Sequence, residues 1–585
     1  MTVESLITQH IDTWTSAVKT KSTTGRGSSK KLELYGVKKL RELILELAVR
    51  GKLVPQDPND EPASVLLERI AAEKAQLVKE KKLKKPNKLP EISENDNLFE
   101  LPSGWEFVRW GDIAYWAIGS GFPKTAQGES GNSILFSKVS DMNLPGNERY
   151  IKTTVNTISE DVAVKIKAKL HPQGTVIFPK IGGAIATNKR RILTCNTAID
   201  NNCLGLTPSV GITSDFLYLV LSKTDLVAYQ AGTSVPALSQ STLELILAAL
   251  PPIKEQHRIV AKVDELMALC DQLEQQTEAS IEAHQLLVST LLNTLANSAD
   301  ADELMENWAR ISDHFDTLFS TEESIDQLKQ TILQLAVMGK LSKPLDSDTP
   351  VSNHLDSILE QQKLTASAKE FKLIESELVS AKAEVDGNRV MLKARCFCDF
   401  ITKGTTPSKT ELLEIGDVPF LKVYNIVDNQ LDFDYRPIFI SQGVHEGKLR
   451  RSMASPGDVI MNIVGPPLGK VTVLTDQYAQ WNMNQALAVF KPVDVVFNRY
   501  LYYVLSCDLT LNSVLKEVKG TAGQDNLSLE QCRDLLIPVI GIEEQKRLVE
   551  LVDILLGQCK FLKARLKDSQ TTQLYLTDAI VEQAV

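Results

Sequence analysis

The amino-acid sequence predicts an α+β fold in which two similar α/β-mixed globular domains are joined by an antiparallel pair of long coiled-coil helices. Three observations lead to this prediction. A heptad pattern occurs twice, the chain is internally duplicated with a period near 288 residues, and each half changes from helical to strand-like patterning in its middle. With 585 residues the chain is also long enough for several domains.

The first heptad pattern lies between residues 254 and 295, a stretch without glycine or proline. Residues spaced by four and three form a seam that is apolar at both ends and polar in the middle, which is typical of a coiled-coil strand: Ile259, Val263, Leu266, Cys270, Leu273, Thr277, Ser280, His284, Leu287 and Leu291. Adding 289 gives a second seam: Leu548, Val552, Leu555, Cys559, Leu562, Leu566, Ser569, Gln573, Leu576 and Ile580. Because the two helices have matching length and seam, we expect them to pair.

A repeated helical motif marks the start of each half. The sequence ELAVRGKLVPQ at 46–56 returns as QLAVMGKLSKP at 334–344, and in both copies a glycine follows the predicted helix as a C-cap. A second helix is predicted in each copy, at 63–82 and 351–382. Each half therefore contains a helical region, a globular domain and a long helix. The predicted boundaries are 1–100 (helical, with a flexible Ser/Thr/Gly/Lys-rich linker), 101–250, 251–297, 298–385 (repeating 1–100), 386–540 and 541–585.

The two globular domains gain glycine, proline, aromatic and β-branched residues. Thr175–Phe178 and Asp458–Met461 are apolar runs between a glycine and a glycine-rich turn, which predicts strands. Neighbouring segments match between the halves as well: Phe136–Val139 with Phe420–Val423, Asn201–Leu204 with Asn484–Leu487, and Gly232–Thr233 with Gly520–Thr521. The matches indicate one common fold for both domains.

The net charge of −10 argues at first against a nucleic-acid partner. The charge is unevenly distributed, however: residues 251–385 hold 11 Lys/Arg against 24 Asp/Glu, whereas residues 101–250 hold 13 against 11. The acid therefore lies on the predicted helices, and the net charge excludes no local DNA-binding face. The eight cysteines form no CxxC pair, and neither a signal peptide nor a membrane span is evident, so we expect a reducing, cytoplasmic location.

The loops of the two domains carry residues suited to DNA. Lys and Arg on glycine-rich loops can contact phosphates or guanine edges, and Asn and Gln can contact adenine edges. For any single loop a solvated surface hairpin is the simpler interpretation, but basic residues recur at matched places, Asn188–Arg191 in one domain and Gly469–Lys470 in the other. The basic run Lys79–Lys88 is equally compatible with a solvated helix end and with phosphate contact.

The predicted DNA-binding residues come from both domains. In the first they are Ser120, Lys124, Lys138, Lys180, Gly182, Gly183, Asn188, Lys189, Arg190, Arg191, Asn201, Asn202 and Thr233. In the second they are Lys403, Thr405, Thr406, Lys409, Lys422, Asn425, Arg450, Arg451, Asn462, Gly465, Lys470, Asn484 and Thr521. For Lys138 and Lys422, a structural role in holding a carboxylate is an open alternative.

No catalytic or metal-binding motif is recognisable. The sequence GPPLGK at 465–470 resembles a phosphate-binding loop but is one residue short, and Val471 stands where Ser or Thr would bind magnesium. GxGxxG after a strand, HExxH and GxSxG are all missing, and the chain has seven histidines. We therefore predict a protein without catalytic residues, metal ligands or a cofactor of its own.

Several segments resemble the specificity (S) subunit of type I restriction–modification enzymes over nearly the full length of the chain. LPSGWEFVRWGDI at 101–113 looks like the opening of a target-recognition domain, and LPPIKEQHRIVAKVDELM at 250–267 like the exit into the central spacer helix. ELAVRGKLVPQ and QLAVMGKLSKP resemble conserved helices of the EcoAI-like (type IB) branch. The second domain departs from the pattern, since its exit lacks the double proline and its opening lacks the Gly-Trp pair.

The resemblance implies a function. Each target-recognition domain would read one half of a bipartite, asymmetric double-stranded DNA target. The paired helices would set the half-site spacing and dock two methyltransferase (M) subunits. Those subunits would bind S-adenosylmethionine and methylate adenine, and restriction (R) subunits would add ATP- and Mg-dependent translocation and cleavage. A competing interpretation is a coiled-coil scaffold that binds no DNA, with two protein-binding domains and an acidic, DNA-mimicking rod.

Overall fold

A computed structural model describes residues 3–21, 31–81, 83, 89–93, 96, 99–232, 235–465, 468–515 and 526–585. The predicted flexible linker and most of the basic run Lys79–Lys88 lie outside the described residues. The chain divides into two compact units. The first contains most of the residues up to Ala279 together with Gln570–Val585, and the second contains Ser280–Ser569.

Helices open the first unit, with a short antiparallel strand pair, β1 and β2, between the second and third of them. Helix α3 buries residues at spacings of three and four, as its sequence predicts, and Gly51 follows it with a positive φ of 70°. Lys52 N donates to Leu47 O, which closes a Schellman-type end. The elements are α1 (Val3–Gln9), α2 (Ile11–Ser16), β1 (Lys19–Lys21), β2 (Lys31–Glu33), α3 (Tyr35–Val49) and α4 (Ala63–Lys79).

The first domain contains two main sheets, with strand orders β4-β12-β9-β10-β6 and β7-β5-β11-β8, and a separate pair, β3 with β13. Strand β9 is buried along its whole length, close to the predicted run. The elements are β3 (Glu106–Arg109), α5 (Trp110–Ile113), β4 (Ala114–Ile118), β5 (Ile134–Ser137), β6 (Tyr150–Ile151), β7 (Asn156–Ile158), α6 (Glu160–Lys165), β8 (Leu170–His171), β9 (Val176–Pro179), β10 (Arg191–Leu193), β11 (Thr197–Ile199), β12 (Cys203–Pro208), α7 (Ser214–Lys223), α8 (Gln240–Leu243) and β13 (Leu247–Leu250).

A long helix and five shorter helices follow the first domain. The predicted helix 351–382 is in fact two helices, because Ser367 accepts a hydrogen bond from Glu370 N and caps a new helix start. The elements are α9 (Ile253–Ala296), α10 (Ala301–Ser312), α11 (Phe315–Leu318), α12 (Glu322–Val337), α13 (Val351–Thr365) and α14 (Ala368–Ala383).

The second domain repeats the sheet layout of the first. Its sheets have the orders β15-β23-β20-β21 and β19-β16-β22, with the separate pairs β14-β24 and β17-β18. The elements are β14 (Arg389–Lys393), α15 (Ala394–Phe397), β15 (Cys398–Lys403), β16 (Val418–Leu421), β17 (Ile426–Val427), β18 (Gln430–Leu431), β19 (Phe439–Ile440), α16 (Gln442–Glu446), β20 (Val459–Asn462), β21 (Val471–Val473), β22 (Asn482–Met483), β23 (Leu487–Pro492), α17 (Asn498–Leu505), α18 (Asp508–Leu515), α19 (Leu529–Arg533), β24 (Leu536–Ile540) and the long helix α20 (Ile542–Ala584).

Corresponding strands pair in the same way in both domains. Both have a parallel pair at the same place, β11 with β5 in the first and β22 with β16 in the second, and the first domain has a further parallel pair, β10 with β6. The antiparallel pairs β12-β4 and β12-β9 correspond to β23-β15 and β20-β23. The two domains therefore share one fold, as the sequence repeats predict.

The two long helices pack against each other in the second unit. Val288, Leu292 and Leu295 of α9 lie in the same buried cluster as Cys559 of α20. Leu562 and other partly buried leucines of α20 pack against that cluster. This contact confirms the predicted pairing for the part of the helices that belongs to the second unit.

The predicted seam is wrong at Leu287 and Leu576, whereas the seam residues that follow them, Leu291 and Ile580, are partly buried and buried. Leu287 and Leu576 are 51% and 44% exposed, whereas their neighbours Val288 and Thr577 are 1% and 0% exposed. The physical reason is that an α-helix has about 3.6 residues per turn, so a strict heptad seam drifts around a straight helix. The drift occurs at the same place in both helices, since these two pairs are 289 residues apart.

The duplication also extends nearer to the N-terminus than the 288-residue period indicates. His10-Ile11-Asp12-Thr13-Trp14 corresponds to His314-Phe315-Asp316-Thr317-Leu318, 304 residues later. Both histidines precede a short helix with nearly the same backbone angles, φ −117° and ψ 24° against φ −120° and ψ 21°. The larger offset indicates an insertion in the first half, between α2 and α3.

Among the described residues, none of the helices is both long and apolar enough to span a bilayer.

Candidate nucleic-acid interface

In the first domain, several loops meet at one end of the two main sheets. Ser120 N donates to Ile199 O (2.8 Å), which joins the loop after β4 to the end of β11. Lys180 N donates to Asn202 O (2.8 Å), which joins the loop after β9 to the start of β12. We call this end the first rim; of the predicted contact residues it gathers Ser120, Lys138, Lys180, Gly182, Asn201 and Asn202.

The second domain has a matching second rim. Thr405 N donates to Met483 O (3.1 Å), which joins the loop after β15 to the end of β22. Ile463 N donates to Ala486 O (2.9 Å), which joins the loop after β20 to the start of β23. Of the predicted contact residues this rim gathers Thr405, Thr406, Lys422, Asn462, Gly465 and Asn484.

A glycine allows the close approach of two loops in each rim. A Cβ on Gly119 would overlap the carbonyl oxygen of Asp200, and a Cβ on Gly404 would overlap that of Asn484. Any side chain at either position would push the loops apart. The two rims therefore share the same backbone construction.

The predicted contact residues differ in exposure. Exposed in the structure are Lys124, Gly183, Asn188, Asn201, Asn202, Lys403, Thr405, Thr406, Lys409, Arg450 and Arg451. Partly buried are Lys138, Lys180, Gly182, Lys189, Arg191, Lys422, Gly465, Lys470 and Asn484. Thr233 and Thr521 lie outside the described residues.

The structure overturns the prediction for Arg190. Its side chain is 1% exposed, and its guanidinium donates to the carbonyls of Leu221 (3.1 Å), Lys189 (2.9 Å) and Thr224 (3.4 Å). Burial lowers the pKa of this guanidinium to about 10. Arg190 therefore holds the first domain together and offers no surface contact.

The predictions for Ser120, Asn425 and Asn462 are also wrong, because these side chains are 8%, 1% and 0% exposed. Ser120 Oγ accepts a hydrogen bond from Lys169 N (2.8 Å). Asn425 Oδ1 accepts one from Lys422 N (3.0 Å) and Asn462 Oδ1 one from Val464 N (3.2 Å). All three satisfy backbone groups inside their domain.

The matched basic residues after β9 and β20 bind the chain itself. Arg191 Nη2 donates to Met142 O (2.7 Å), and Lys189 Nζ donates to Asn143 Oδ1. In the second domain Lys470 Nζ donates to Ile426 O (3.1 Å). In both domains the acceptors lie on the segment that follows the first strand of the smaller sheet, so the recurrence of basic residues here has a structural cause.

Lys138 is likewise engaged within its domain. Its Nζ donates to Gln127 Oε1 (2.8 Å) and lies 5.1 Å from the centre of the Phe122 ring. Lys138 does hold a carboxylate, but with its backbone and not with its side chain: Lys138 N donates to Asp141 Oδ2 (2.7 Å). The corresponding bond in the second domain runs from Lys422 N to the Asn425 amide.

Sequence reasoning missed three exposed lysines beside the first rim. Lys165 ends helix α6, Lys167 and Lys169 follow it, and Lys169 N is the donor to Ser120 Oγ. We call these residues the first basic turn. The matching set after α16 is Lys448, Arg450 and Arg451, the second basic turn. The alternation of lysines in VKIKAKLH, at 164–171, is the signal that could have revealed the first turn.

Each domain is attached to its long helix by a glutamine. Gln256 accepts from Thr213 N (2.9 Å) and donates to Gly211 O (3.2 Å) and Pro251 O (3.3 Å). Gln545 does the same in the second unit, accepting from Phe497 N (2.8 Å) and donating to two carbonyls of its own domain. Both glutamines are fully buried.

An arginine two residues further on binds the helical region that precedes each domain. Arg258 pairs with Asp60 at 2.7 Å, and Arg547 pairs with Asp348 at 2.7 Å. The hydrogen bonds from Arg547 lower the pKa of Asp348 to about 2. Helical region, domain and long helix are thus held together by the same residue types in both units.

The model of the type I restriction modification DNA specificity domain matches residues 102–283 and 396–568, which is more than half of the chain. The chain therefore belongs to the family of type I restriction–modification DNA specificity proteins. It is 36% identical over 613 residues to the type I restriction enzyme EcoAI specificity subunit and 35% identical over 603 residues to the EcoEI specificity subunit, both from Escherichia coli. In each comparison all of both chains is covered, which confirms the EcoAI-like resemblance.

A crystal structure of the HsdS subunit from Thermoanaerobacter tengcongensis is more distant. It is 18% identical, covers 84% of this chain and 98% of its own, and overlays with a TM-score of 0.39. This overlay is too loose to bear on the fold of the present chain.

Proposed function

We propose that this chain is the DNA sequence-recognition subunit of a type I restriction–modification complex and catalyses no reaction itself. Each rim would read one half of a bipartite, asymmetric target in double-stranded DNA. The observation that carries this proposal is the pair of rims. They share one backbone construction and one attachment to a long helix, yet present different exposed side chains, Asn201 and Asn202 in the first rim and Thr405 and Thr406 in the second.

The long helices would set the distance between the half-sites and dock two methyltransferase subunits. A duplicated chain suits this task, because it offers two equivalent helical surfaces to two identical partners. The methyltransferase subunits would bind S-adenosylmethionine, and restriction subunits would supply the ATP- and Mg-dependent steps. The family and its relatives support this assignment, and the curated relatives carry the name of specificity subunit.

The direct test is to co-express the chain with its methyltransferase subunits in a host without adenine methylation and to sequence the methylated genome. We expect one gapped, asymmetric motif with a methylated adenine in each half. Methylation at a short continuous motif, or none above the background of a host with the methyltransferase alone, would contradict the proposal.

The spacer role has its own test. Inserting four helical residues after Gln275 and four after Ala564, which are equivalent positions of α9 and α20, would lengthen each helix by about 6 Å. Because base pairs rise about 3.4 Å, the gap in the methylated motif should grow by one or two base pairs. A motif with an unchanged gap would remove the helices from this role while leaving DNA recognition intact.

The acidic scaffold is not favoured, because the family is defined by DNA specificity. It also makes an opposite prediction for binding. DNA affinity that rests on phosphate contacts falls steeply with salt, whereas a scaffold would show no salt-dependent binding to random DNA in a gel-shift assay with the partner present.

A further inference from the structure

The two basic turns follow equivalent helices of the two domains, and two of their basic residues occupy equivalent positions, Lys167 with Lys448 and Lys169 with Arg450. Helices α6 and α16 both start with a serine cap, Ser159 and Ser441, whose side chains accept from Val162 N and Val444 N. Both helices end with a hydrogen bond that spans five residues, Ala168 N to Ala163 O (2.9 Å) in one domain and Leu449 N to Val444 O (3.0 Å) in the other. Lys165, Lys167 and Lys448 lie within the segments that these hydrogen bonds close, and Lys169, Arg450 and Arg451 follow them.

Five of the six basic side chains are not neutralised within the chain. No carboxylate in the part of the chain that the structure describes forms an ion pair with Lys165, Lys167, Lys169, Arg450 or Arg451. The sixth, Lys448, pairs with Glu411 at 2.9 Å, and its side chain is still 54% exposed. Each turn therefore presents concentrated positive charge to solvent.

Lys167 has a backbone conformation that its side chain disfavours. Its φ is 54°, and it occupies the position after a helix where glycine is the usual residue. A non-glycine residue in this region costs on the order of 1 kcal/mol. A glycine at this position would avoid that cost. We therefore expect the side chain of Lys167 to have a function that offsets it.

Both turns lie directly beside a rim. In the first domain Lys169 N bonds Ser120 Oγ, and His171 Nε2 lies 3.1 Å from Ile118 O at the end of β4. In the second domain Ser452, which follows Arg451, donates from Oγ to Asn482 Oδ1 (2.9 Å) on β22. DNA that reached the rim loops would pass close to these side chains.

We propose that the two basic turns bind the sugar–phosphate backbone next to the bases that the rims read. This inference rests on the proposed function. The two half-sites differ in base sequence but share the sugar–phosphate backbone of DNA. A basic feature that occurs in both domains is therefore suited to binding that backbone. The four lysines of the two turns suit phosphate as point charges, and Arg450 and Arg451 can bind phosphate through two parallel N–H donors.

The test measures binding of the full chain, in complex with its methyltransferase subunits, to two duplexes of equal length. One carries the motif found by methylation sequencing, and the other has a random sequence. For the variant K165Q/K167Q/K169Q, the slope of log affinity against log salt should become shallower by about 2 to 3, since each lost phosphate contact removes about 0.9. A fourfold rise in salt should then weaken this variant about 40-fold less than the wild type. K448Q/R450Q/R451Q should behave in the same way.

Two control variants separate this effect from changes in total charge or folding. K363Q/K369Q/K372Q removes three exposed charges from the helical region α13–α14 and should leave the slope unchanged. K165R/K167R/K169R keeps the charge of the first turn and should restore the wild-type slope. Because backbone contacts carry no sequence information, the ratio of specific to random affinity should stay constant in all four variants.

The outcomes distinguish the inference from the function on which it rests. An unchanged salt slope in both glutamine variants would show that the turns do not touch DNA. A fall in the specific-to-random ratio at unchanged slope would mean that they read bases, which also overturns the inference. If the wild-type complex itself shows no preference between the two duplexes, the proposed function fails and the inference fails with it.

Discussion

The two halves of the chain differ most at their rims and least where each domain joins its long helix. At the junctions, Gln256 and Gln545 make the same three kinds of hydrogen bond, and Arg258 and Arg547 each bind an aspartate with a buried side chain. The exposed residues of the rims differ more, with Asn201 and Asn202 in the first and Thr405 and Thr406 in the second. The comparison indicates that the attachment was kept through the duplication while the surface proposed to read DNA diverged.

The similarity includes the far ends of the long helices. Lys340 Nζ donates to the carbonyls of Ala296 (2.6 Å) and Ser298 (2.8 Å) at the end of α9. Lys52 Nζ donates to Val585 O at the end of α20. A positive charge at a helix C-terminus is favourable, and this explains why the Gly-Lys-Leu motif occurs in both halves.

One junction contact uses different chemistry in the two halves. Lys74 Nζ donates to the carbonyls of Gly111 and Asp112 at the end of α5 (2.7 Å each). In the second half Gln362 Nε2 donates to the carbonyls of Cys396 (3.1 Å) and Cys398 (2.9 Å) at the end of α15. The carbonyls need a donor, and either an ammonium or an amide can supply it.

Breaking the arginine–aspartate pairs should cause the largest losses in the free energy of unfolding, and the losses in the two halves should be nearly equal. Removing the guanidinium in R547A leaves the Asp348 carboxylate, whose side chain is 2% exposed, without its partner. A loss of about 3 kcal/mol is expected, and R258A should have a similar effect on the first half. Urea unfolding monitored by tryptophan fluorescence measures both. R310A, which removes an exposed pair with Glu306, should cost less than about 1 kcal/mol. Strongly unequal losses of unfolding free energy in R258A and R547A would contradict the structural equivalence of the two junctions.

Loss of the junction glutamines should have the next largest effect. Q256M and Q545M keep the side-chain volume but leave several buried backbone groups unpaired, at a cost of about 2 kcal/mol each. Hydrogen exchange of the Thr213 and Phe497 amides should accelerate in the respective variant. The exposed helix positions Gln275 and Gln558 serve as controls, and their methionine variants should leave both amides protected. Protection that persists in Q256M or Q545M would contradict the proposed attachment.

The shifted seam predicts a smaller effect on stability, which should be present at Val288 and nearly absent at its neighbour Leu287. V288A removes buried apolar surface and should destabilise by about 1.5 kcal/mol, whereas L287A and L576A should change the unfolding free energy by less than about 0.5 kcal/mol. Thermal unfolding of the three variants gives the comparison. If L287A proved more costly than V288A, the helix would follow the strict heptad seam after all.

The smallest effect on stability is expected for K74Q, which gives the first half the residue type that the second half has at the equivalent position, Gln362. Because an amide already serves at Gln362, the cost should stay below about 1 kcal/mol. Burial lowers the pKa of Lys74, so the unfolded state binds the proton more tightly than the folded state. Wild-type stability should therefore rise relative to K74Q as the pH rises from the lowered pKa towards the ordinary value of 10.5. A pH-independent difference would show that the ammonium is not desolvated.

The fold could be predicted from the sequence where a pattern repeats. Gly51 and Gly339 identified equivalent helix ends, and the apolar runs at Thr175 and Asp458 identified equivalent buried strands. The drift of the seam could not be predicted, because a heptad pattern and a 3.6-residue pattern agree over a few turns and differ only over many.

The candidate site was less predictable than the fold. Arg190 and Arg191 are identical letters beside each other, yet the first is buried against backbone carbonyls and the second is partly accessible. Sequence gives no measure of burial at such a loop. Duplication alone did not identify the role of Lys470, since a structural contact repeats between the halves as readily as a functional one.

The central claim is that two equivalent attachments hold two different reading surfaces. The most direct measurement is the methylated motif of a complex in which the exposed residues Asn201 and Asn202 of the first rim are changed to alanine. We predict that one half of the gapped motif relaxes while the other half and the gap stay as in the wild type. Changes in both halves, or a motif unaltered in both, would contradict the account.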